Sequence, residues 1–267
     1  MQLTLGFVTD LHFGPRASFD GKLRKLSHEA GRLARAAVRG LDALAPDLVV
    51  NLGDDIEDES RDADLVRYEE CQAILRTARA PLVNVAGNHD TVNLGRADLA
   101  RVWQREGPLY YSFDHGGVHL AVLHTVERKD VDVRIDDDQL AWLRADLAAT
   151  SLPTVVLMHH PACEQDLTDS RWFSRAPHLA LVHDRAALRA VLEESGNVRL
   201  VVNGHVHRNH LDVIRGIPYV TVQSLIENLD DDAPGRPAGA FALAKLDDRK
   251  VVFRVFGEDP ARWQVEV

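Results

Sequence analysis

Six short apolar runs, separated by segments with helical spacing, constrain the fold of this chain more than any other feature of its sequence. Each run is at most six residues long and mostly apolar at successive positions, which is typical of strands buried on both faces. The runs are LTLGFV (3–8), DLVVNL (47–52), PLVNVA (81–86), VHLAVL (118–123), TVVLM (154–158) and RLVVN (199–203).

Helical spacing of leucine and alanine fills much of the sequence between the runs. It predicts helices at 27–44, 62–78, 136–149 and 184–195. Pro46 follows the first of these segments and Gly196 follows the last, and both residues are typical of helix ends. Aspartates begin the third segment, where the helix dipole favours acidic side chains. Strands that alternate with helices in this way indicate an α/β fold.

From about residue 209 the chain becomes rich in β-forming residues. The sequence predicts a hairpin across Arg215-Gly216, a second hairpin at Asp247-Asp248 and a last strand in RWQVEV (262–267). The Pro- and Gly-containing acidic stretch 230–239 is predicted as a loop. We expect this C-terminal portion to extend or cover a second sheet. No linker separates independent parts, so residues 1–267 are expected to form a single domain.

Composition narrows the classes of partner. The 41 acidic residues outnumber the 31 basic ones and give a net charge of −10, which argues against broad binding to nucleic acid. It does not exclude a phosphate substrate, because a bound metal can supply positive charge locally. Only Cys71 and Cys163 are present, so a zinc knuckle or a disulfide framework is not expected. No apolar stretch approaches a membrane span and the first residues do not resemble a signal peptide, so we expect a cytoplasmic protein.

Five of the six apolar runs are followed directly by Asp, Asn or His side chains. In α/β sheets, ligands bind at the C-terminal ends of the strands. The sequence GNHD (87–90) alone would be explained by a loop turn, but five unrelated polar turns explain the whole set poorly. The residues concerned are Asp10, His12, Asp54, Asp55, Asn88, His89, Asp90, His159, His160, His205 and His207.

These residue types are suited to metal binding. Nitrogen and carboxylate ligands without thiolates are typical of Zn, Mn, Fe or Co sites. The pairs at 10–12 and 205–207 are spaced by one residue and can point the same way if the chain stays extended. Glycines at 53, 87 and 204 precede the polar residues, where we expect tight turns with positive φ. Seven or eight ligands are too many for one ion but suit two ions that share a bridging carboxylate, roughly 3.5–4 Å apart.

These motifs make the chain resemble the calcineurin-like metallophosphoesterase superfamily. The family pattern D-x-H, G-D-x-x-D/E, G-N-H-D/E, a later histidine and G-H-x-H reads here as DLH, GDDIE, GNHD, MHHP and GHVH. The stretches YYSFDHGGVHLAVLHT (110–125) and DDQLAWLRADL (137–147) are similar to the subgroup that contains cyclic-nucleotide and glycerophosphodiester phosphodiesterases. The resemblance extends from residue 3 to about 208.

The resemblance implies a four-layer α/β/β/α sandwich of two mixed sheets flanked by helices, with the C-terminal portion adding strands to the second sheet. It also implies a cofactor of two divalent or mixed-valence metal ions. The implied ligands are Asp10, His12 and His207 for the first ion, Asn88, His159 and His205 for the second, and Asp54 as the bridge. His89 would be the catalytic residue, stabilising the transition state or protonating the leaving oxygen. Two positions depart from the family pattern without removing a ligand, namely Glu57 for Asp and His124 for the usual acid.

The implied function is hydrolysis of small-molecule phosphate esters by attack of a metal-bridging hydroxide on phosphorus. The subgroup resemblance favours phosphodiesters and leads us to expect a homodimer. One alternative is a phosphomonoesterase for a nucleotide, sugar phosphate or phosphoprotein, and another is a nuclease, which the acidic balance disfavours. A third is a non-catalytic scaffold like the retromer subunit of the superfamily, which would not need a complete ligand set. The absence of G-x-x-x-x-G-K-S/T and G-x-S-x-G motifs disfavours P-loop and serine-hydrolase chemistry.

Several residues beside the motifs have simpler explanations than ligation. His160 would point away from the site if the chain is extended, so a supporting or structural role is expected. His210 lies beyond the last motif and is expected to be an exposed polar residue. Asp55 and Asp90 adjoin ligands, and turn chemistry explains both adequately.

The surroundings of the expected site are less constrained by the sequence. Arg16 could reach a substrate phosphate or be an exposed loop arginine. Cys163 is expected near the rim of the site, without a role in metal binding. The long segment 161–183 carries Trp172 and Phe173. It could cover the site, or the two aromatic side chains could simply pack under a loop, which is the interpretation we favour.

Overall fold

The six predicted apolar runs lie within two six-stranded sheets in the computed structural model, which describes residues 2–267. The strands are β1 (Gln2–Val8), β2 (Leu48–Asn51), β3 (Leu82–Asn84), β4 (Tyr111–His115), β5 (Val118–Val122), β6 (Val126–Arg128), β7 (Asp132–Arg134), β8 (Thr154–Leu157), β9 (Val198–Asn203), β10 (His210–Ile214), β11 (Ile217–Thr221), β12 (Phe241–Asp247), β13 (Lys250–Phe256) and β14 (Ala261–Glu266). The α-helices are α1 (Ala30–Leu44), α2 (Arg61–Leu75), α3 (Arg96–Trp103), α4 (Asp137–Ala149) and α5 (Arg185–Ser195).

The strand order brings the C-terminal ends of the parallel strands to a common edge. The first sheet has the order β14-β13-β12-β1-β2-β3, and its strands β1, β2 and β3 are parallel. The second sheet has the order β10-β11-β9-β8-β5-β4, and β5, β8, β9 and β11 are parallel. Strands β6 and β7 form a separate hairpin. Loops that carry the predicted ligands therefore leave both sheets at their C-terminal edges.

Three apolar clusters separate four layers. One cluster lies between the two sheets and includes Phe7 and Leu120. A second packs α1, α2 and α3 on the first sheet, and a third packs α4 and α5 on the second. Strands β2, β5 and β8 are buried along their whole length, as their unbroken apolar runs predict. The four-layer α/β/β/α sandwich is thus confirmed.

The C-terminal portion divides between the two sheets, so the expectation that its strands join the second sheet is only half right. The hairpin across Arg215-Gly216 is confirmed, and its strands β10 and β11 extend the second sheet. Strands β12, β13 and β14 instead join the first sheet, because β12 pairs antiparallel with β1 from Gln2 to Phe7. That pairing satisfies the edge of β1 that β2 leaves open. The second hairpin turns one residue later than predicted, at 248–249.

The four predicted helices are confirmed, with boundaries that shift by up to three residues. The stretch 230–239 is a loop, as predicted. Helix α3, strand β4 and the β6–β7 hairpin were not predicted. Helix α3 and the two hairpin strands are too short for a periodic pattern to stand out. Among residues 2–267, no helix has the length and apolar content needed to cross a bilayer.

Gly204 marks the place where the loops of the two sheets touch. It follows β9 of the second sheet, and an added Cβ would lie 1.9 Å from Thr9 Oγ1 and 2.6 Å from Asp10 Oδ2, which follow β1 of the first sheet. Atoms cannot approach so closely, so any larger residue at 204 must push the two loops apart. Glycine is required here by contact and not by backbone conformation.

We therefore expect Gly204→Ala to reduce the free energy of unfolding by about 1–3 kcal/mol or more, because it overpacks a rigid junction. Urea denaturation of the purified variant measures this. Gly31→Ala in α1 is the matched control. The nearest atoms to an added Cβ there, Glu70 Oε1 and Phe13 Cε1, would lie at an ordinary contact distance of 3.6 Å, and alanine favours helix. It should change stability by no more than about 1 kcal/mol, in the stabilising direction. Wild-type stability in Gly204→Ala would contradict the conclusion that close contact requires glycine at position 204.

Candidate metal centre

The loops after β1, β2, β3, β8 and β9 meet at one end of the sandwich and bring together all seven predicted metal ligands. Most of these side chains are removed from solvent, although Asn88 is half-buried, as is the neighbouring His89. The buried ligands are Asp10, His12, Asp54, His159, His205 and His207. Residues separated by almost 200 positions in the chain thus share one small volume.

Asp10, His12 and His207 form the first cluster. Their ligand atoms lie within 4.8 Å of one another. His207 Nε2 is 3.1 Å from His12 Nε2 and 3.3 Å from Asp10 Oδ1. Two imidazole nitrogens and a carboxylate oxygen that converge in this way form a group that could hold a metal ion.

Asn88, His159 and His205 form the second cluster. His159 Nε2 is 3.1 Å from Asn88 Oδ1 and 3.2 Å from His205 Nδ1. The amide nitrogen of Asn88 donates to Glu127 Oε2 at 2.8 Å, which turns the amide oxygen toward His159. Because oxygen is the atom that an amide offers to a metal, this orientation suits a ligand.

Asp54 lies between the two clusters. Its Oδ2 is 3.7 Å from His12 Nε2 and 3.2 Å from His159 Nε2. Its other oxygen accepts the backbone N–H of His89 at 2.9 Å. One carboxylate therefore faces the histidines of both clusters, while a backbone hydrogen bond fixes its orientation.

Backbone carbonyls hold the histidines of the second cluster. His159 Nδ1 donates to Leu52 O at 2.8 Å, and His205 Nε2 donates to Leu179 O at 3.0 Å. Each ring keeps its remaining nitrogen for the cluster. A hydrogen bond on the far nitrogen selects the tautomer and ring orientation that a metal ligand needs.

Side-chain charges hold the histidines of the first cluster. His207 Nδ1 is 2.8 Å from Glu227 Oε2, and His12 Nδ1 is 3.2 Å from Glu57 Oε2. Lys25 Nζ donates to the same Glu57 oxygen at 2.8 Å. Neither Lys25 nor Glu227 was predicted as part of the site, because nothing near either residue resembles a motif.

Five residues of the clusters adopt the left-handed backbone conformation, with φ between +43° and +71°. They are Asp10, His12, Asp54, His205 and His207. The expectation that the chain stays extended between paired ligands is therefore wrong. Hydrogen bonds between loops impose this backbone, since Asp10 N–H donates to Gly53 O and His12 N–H to Asp54 O. Strained backbone of this kind is concentrated at functional sites.

The expectation of positive φ at the three glycines holds at only one of them. Gly53 has φ +98°, whereas Gly87 and Gly204 do not fall in the left-handed region. An added Cβ at Gly87 would lie 2.2 Å from both the backbone nitrogen and Oδ1 of Asp54. Close approach, as at Gly204, explains the residue type there.

His159 and His207 favour the protonated form in the metal-free protein. Burial alone would lower their pKa values, but neighbouring carboxylates outweigh it. Asp54 and Asp10 raise the pKa of His159 to about 9, and Asp10 and Glu227 raise the pKa of His207 to about 9.

His12 and His205 favour the neutral form. Burial and the positive charge of Lys25 lower the pKa of His12 to about 4. Burial and His159 lower the pKa of His205 to about 3. Near neutral pH, each cluster thus contains one positively charged imidazole and one neutral imidazole.

His89 lies beside the clusters and lines the cleft. Its Nδ1 is hydrogen-bonded to Asp58 Oδ1, and this bond holds the pKa of Asp58 below its usual range. Burial would lower the pKa of His89, but Asp54 and Asp58 together raise it. Asp58 was not predicted as part of the site, although GDDIED (53–58) shows an acid directly after Glu57.

Residues 161–183, here called the covering segment, pass over the site. Phe173 packs its ring 4.8 Å from that of His205, and Trp172 Nε1 donates to Glu227 Oε2 at 3.1 Å. Leu179, whose carbonyl holds His205, belongs to the same segment. Our preference for simple packing under a loop is therefore wrong, because both aromatic side chains line the cleft.

The cleft has a volume of about 630 Å³ and opens above the two clusters. Phe19, Trp172 and Phe173 form an apolar part of its wall, while Lys129 and Asp130 of the β6–β7 hairpin contribute charged side chains. The volume lies within the range typical of small-molecule sites.

Asp90 joins two loops, which goes beyond the local turn chemistry that the sequence predicts for it. Its carboxylate accepts the backbone N–H groups of Asp54, Asp55 and Gly87 at 2.8–3.0 Å. Asp55 accepts a side-chain hydrogen bond from Asn51 at 2.7 Å. The contacts of Asp55 thus extend beyond its own turn to β2 of the first sheet.

His160 does not point away from the site. One of its ring nitrogens lies within 4.8 Å of those of His159 and His205, and its ring centroid is 4.0 Å from that of His205. Its Nδ1 is 2.7 Å from Thr125 Oγ1. The geometric expectation was wrong because the loop is not extended, while the supporting role stays a prediction.

The other residues considered near the site differ in their position and burial. Arg16 is exposed on its loop, and it is not among the residues that line the cleft. Cys163 is fully buried in the apolar cluster under α4 and α5, so its predicted place near the rim is wrong. His210 is half-buried and not exposed, because it begins β10. His124 is half-buried beside Gln139, and desolvation lowers its pKa to about 4.

Comparison with known proteins identifies the class to which this fold and site belong. The family model described as calcineurin-like phosphoesterase matches residues 3–209. The chain belongs to this family and is a hydrolase that cleaves phosphate esters. The resemblance drawn from the sequence motifs is confirmed.

Individual relatives are similar at modest identity. The chain is 28% identical over 251 residues to a probable cyclic nucleotide phosphodiesterase of Synechococcus sp., covering 90% of this chain and 86% of that protein. It is 28% identical over 186 residues to a probable cyclic nucleotide phosphodiesterase of Rhodococcus erythropolis, covering 67% and 57%. A dimetal phosphatase from Danio rerio has the same fold, with a TM-score of 0.79, 18% identity and coverage of 99% and 98%.

Metal binding should strengthen as pH rises from 7 to 9. His159 and His207, whose pKa values are raised to about 9, carry protons at pH 7 that an ion must displace. Because His207 belongs to one cluster and His159 to the other, each ion displaces one proton. The affinity for each ion should therefore increase by up to about 10-fold per pH unit, and the increase ends above pH 9. Calorimetric titration of the metal-free protein with Mn²⁺ measures this. A pH-independent affinity between 7 and 9 would show that neither imidazole is charged.

Proposed function

We propose that the two clusters bind two divalent metal ions and that Asp54 bridges them. Asp10, His12 and His207 would hold the first ion, and Asn88, His159 and His205 the second. The observation that carries this proposal is the position of Asp54 Oδ2, 3.7 Å from His12 Nε2 and 3.2 Å from His159 Nε2. A carboxylate between two ligand groups is the arrangement that a pair of ions requires.

The donor set fits such ions. The seven ligand side chains offer carboxylate oxygen, amide oxygen and imidazole nitrogen, without sulfur, which suits Mn, Fe, Zn or Co. The four imidazoles each have the far nitrogen near a carbonyl or carboxylate oxygen. Ligand histidines in metalloproteins are supported in the same way.

Hydrolysis would combine the ions with residues of the chain. When bound, the ions supply an activated water and neutralise charge on the phosphoryl oxygens. His89 supplies a proton to the leaving oxygen, because Asp54 and Asp58 favour its protonated form and it lines the cleft. Asp58 positions the imidazole through Nδ1, which leaves Nε2 for the substrate. The covering segment limits access of bulk water.

The substrate class we propose is a small phosphodiester. Both Synechococcus and Rhodococcus relatives are named probable cyclic nucleotide phosphodiesterases. A diester has an organic group on each side of phosphorus, and the apolar wall of Phe19, Trp172 and Phe173 offers one of them a surface. Cyclic nucleotides combine a diester with a planar base that such a wall can contact.

We expect the protein to hydrolyse bis(p-nitrophenyl) phosphate faster than p-nitrophenyl phosphate in the presence of Mn²⁺. Chelation should abolish the activity and added Mn²⁺ should restore it. Faster turnover of the monoester would favour a phosphomonoesterase, and no turnover with two ions bound would favour the scaffold. Activity that survives complete metal removal would contradict the proposal.

Asp54→Asn should reduce the rate by at least about 100-fold and lower the number of bound ions, because it removes the shared charge. Metal analysis and rate measurements on the same preparation test both effects. His183→Ala is the control, since His183 is exposed and lies outside the clusters. It should retain two ions and full activity. An Asp54→Asn variant with two ions at wild-type affinity would exclude the bridge.

His89→Gln should lower kcat by about 10²–10⁴-fold while metal content stays unchanged, as expected for loss of a general acid. Asp58→Asn should cause a smaller loss and shift the basic limb of the pH–rate profile to lower pH, because the imidazolium loses its partner carboxylate. Asp62→Asn is the matched control, since Asp62 is exposed at the start of α2. Loss of metal in His89→Gln would instead identify His89 as a ligand.

A further inference from the structure

We propose that Glu227 is a positioning residue that joins the first metal site to the covering segment. The inference rests on the proposed function, since it assumes that His207 binds the first ion. Glu227 lies in the C-terminal portion, outside the residues that the family model matches. It is 2% exposed, which is rare for a carboxylate unless several partners share its charge.

A short piece of β-ladder fixes the position of Glu227. Lys25 and Glu227 form an antiparallel bridge. On either side of it, Leu26 N–H donates to Ile226 O at 2.9 Å and Asn228 N–H donates to Arg24 O at 2.8 Å. The backbone of residue 227 is therefore held against the loop that follows β1, and its side chain is delivered to the first cluster.

The carboxylate of Glu227 has partners on both sides. Its Oε2 is 2.8 Å from His207 Nδ1 and accepts from Trp172 Nε1 at 3.1 Å. Its Oε1 accepts from Arg171 at 3.3 Å. One group thus holds His207 with Nε2 directed at the first cluster and also binds two neighbouring residues of the covering segment.

The same strip of backbone anchors the covering segment. Arg171 donates to Asn228 O at 2.6 Å and to Leu229 O at 3.2 Å. Trp172 packs edge-on to His207, with ring centroids 5.6 Å apart, and lies 5.0 Å from Lys25 Nζ. Trp172 therefore contacts both a ligand of the first ion and the charged groups that support the ligands.

Because Glu227 supports both His207 and the covering segment, it couples metal binding to the ordering of that segment. A metal ion on His207 Nε2 fixes that ring and, through it, the carboxylate that Trp172 and Arg171 need. An ordered segment in turn holds the carboxylate in place for His207. By linkage, binding of the first ion should order the covering segment, and an ordered segment should favour that ion.

Glu227→Gln tests the coupling with little change of shape. We expect the affinity for one of the two ions to fall about 10–100-fold, as for other partners of ligand histidines, with a smaller change for the other ion. Amide hydrogen exchange in residues 161–183 should become faster and should no longer respond to Mn²⁺. In the wild type, Mn²⁺ should slow exchange there. Calorimetry and exchange measured by mass spectrometry give the two readouts independently of activity.

Two further variants separate the halves of the proposal. Trp172→Phe keeps an aromatic ring but removes the indole N–H, so exchange in the segment should rise. By linkage the affinity for Mn²⁺ should also fall, but less than in Glu227→Gln, because the carboxylate still holds His207 Nδ1. Glu258→Gln changes an exposed carboxylate and should alter neither readout. Circular dichroism and thermal unfolding establish that each variant is folded, and Glu227→Asp serves as the conservative rescue.

The outcomes distinguish this inference from the proposed function. Wild-type protein that binds two ions, together with Glu227→Gln of unchanged affinity or unchanged exchange, overturns the role of Glu227 alone. A fall in affinity without faster exchange in the covering segment also overturns the coupling. Wild-type protein that binds no ions overturns the proposed function, and with it the metal half of this inference.

Discussion

The face-to-face packing of the two sheets is the constraint on which the site depends. The ligands come from loops of both sheets, and the apolar core between the sheets fixes how far apart these loops lie. Hydrogen bonds that cross the junction at the site include those from His159 Nδ1 to Leu52 O at 2.8 Å and from His205 N–H to Asp10 Oδ2 at 3.0 Å. A one-residue slip of a strand would turn its ligand away, so core packing and site geometry are a single problem.

The second constraint is the presence of buried negative charge. Asp10 and Asp54 are almost inaccessible to water, and an isolated buried carboxylate is strongly unfavourable. Backbone N–H groups of His205 and His89 offset part of that cost. In the metal-free protein, the remaining positive charge comes from neighbouring imidazoles, whose raised pKa values keep them protonated. Metal ions would replace those protons, so the electrostatic field that stabilises the metal-free fold is also the one that attracts cations.

The sequence revealed those parts of the molecule that local patterns encode. Buried strands and the residues directly after them are local, so the strands of both sheets except β4, together with the seven candidate ligands, could be proposed from the sequence. The left-handed backbone at the ligands could not, because it results from hydrogen bonds between loops 40 or more residues apart. Glu227 and Lys25 were missed for a similar reason, since their roles depend on a bridge across about 200 residues. The sheet that β12 joins depends on which sheet edge remains open, and that is a property of the assembled fold.

In the proposed arrangement the two ions would not be equivalent. The first has Asp10 among its ligands, and its histidines are backed by the carboxylates of Glu57 and Glu227. The second has the neutral Asn88, and its histidines are backed by backbone carbonyls. Carboxylate support makes an imidazole a stronger donor, and Lys25 offsets only part of the added negative charge. The first site should therefore favour an ion of higher charge, or bind a given divalent ion more tightly than the second site does. The second also contacts the covering segment, but directly, because Leu179 O supports its His205.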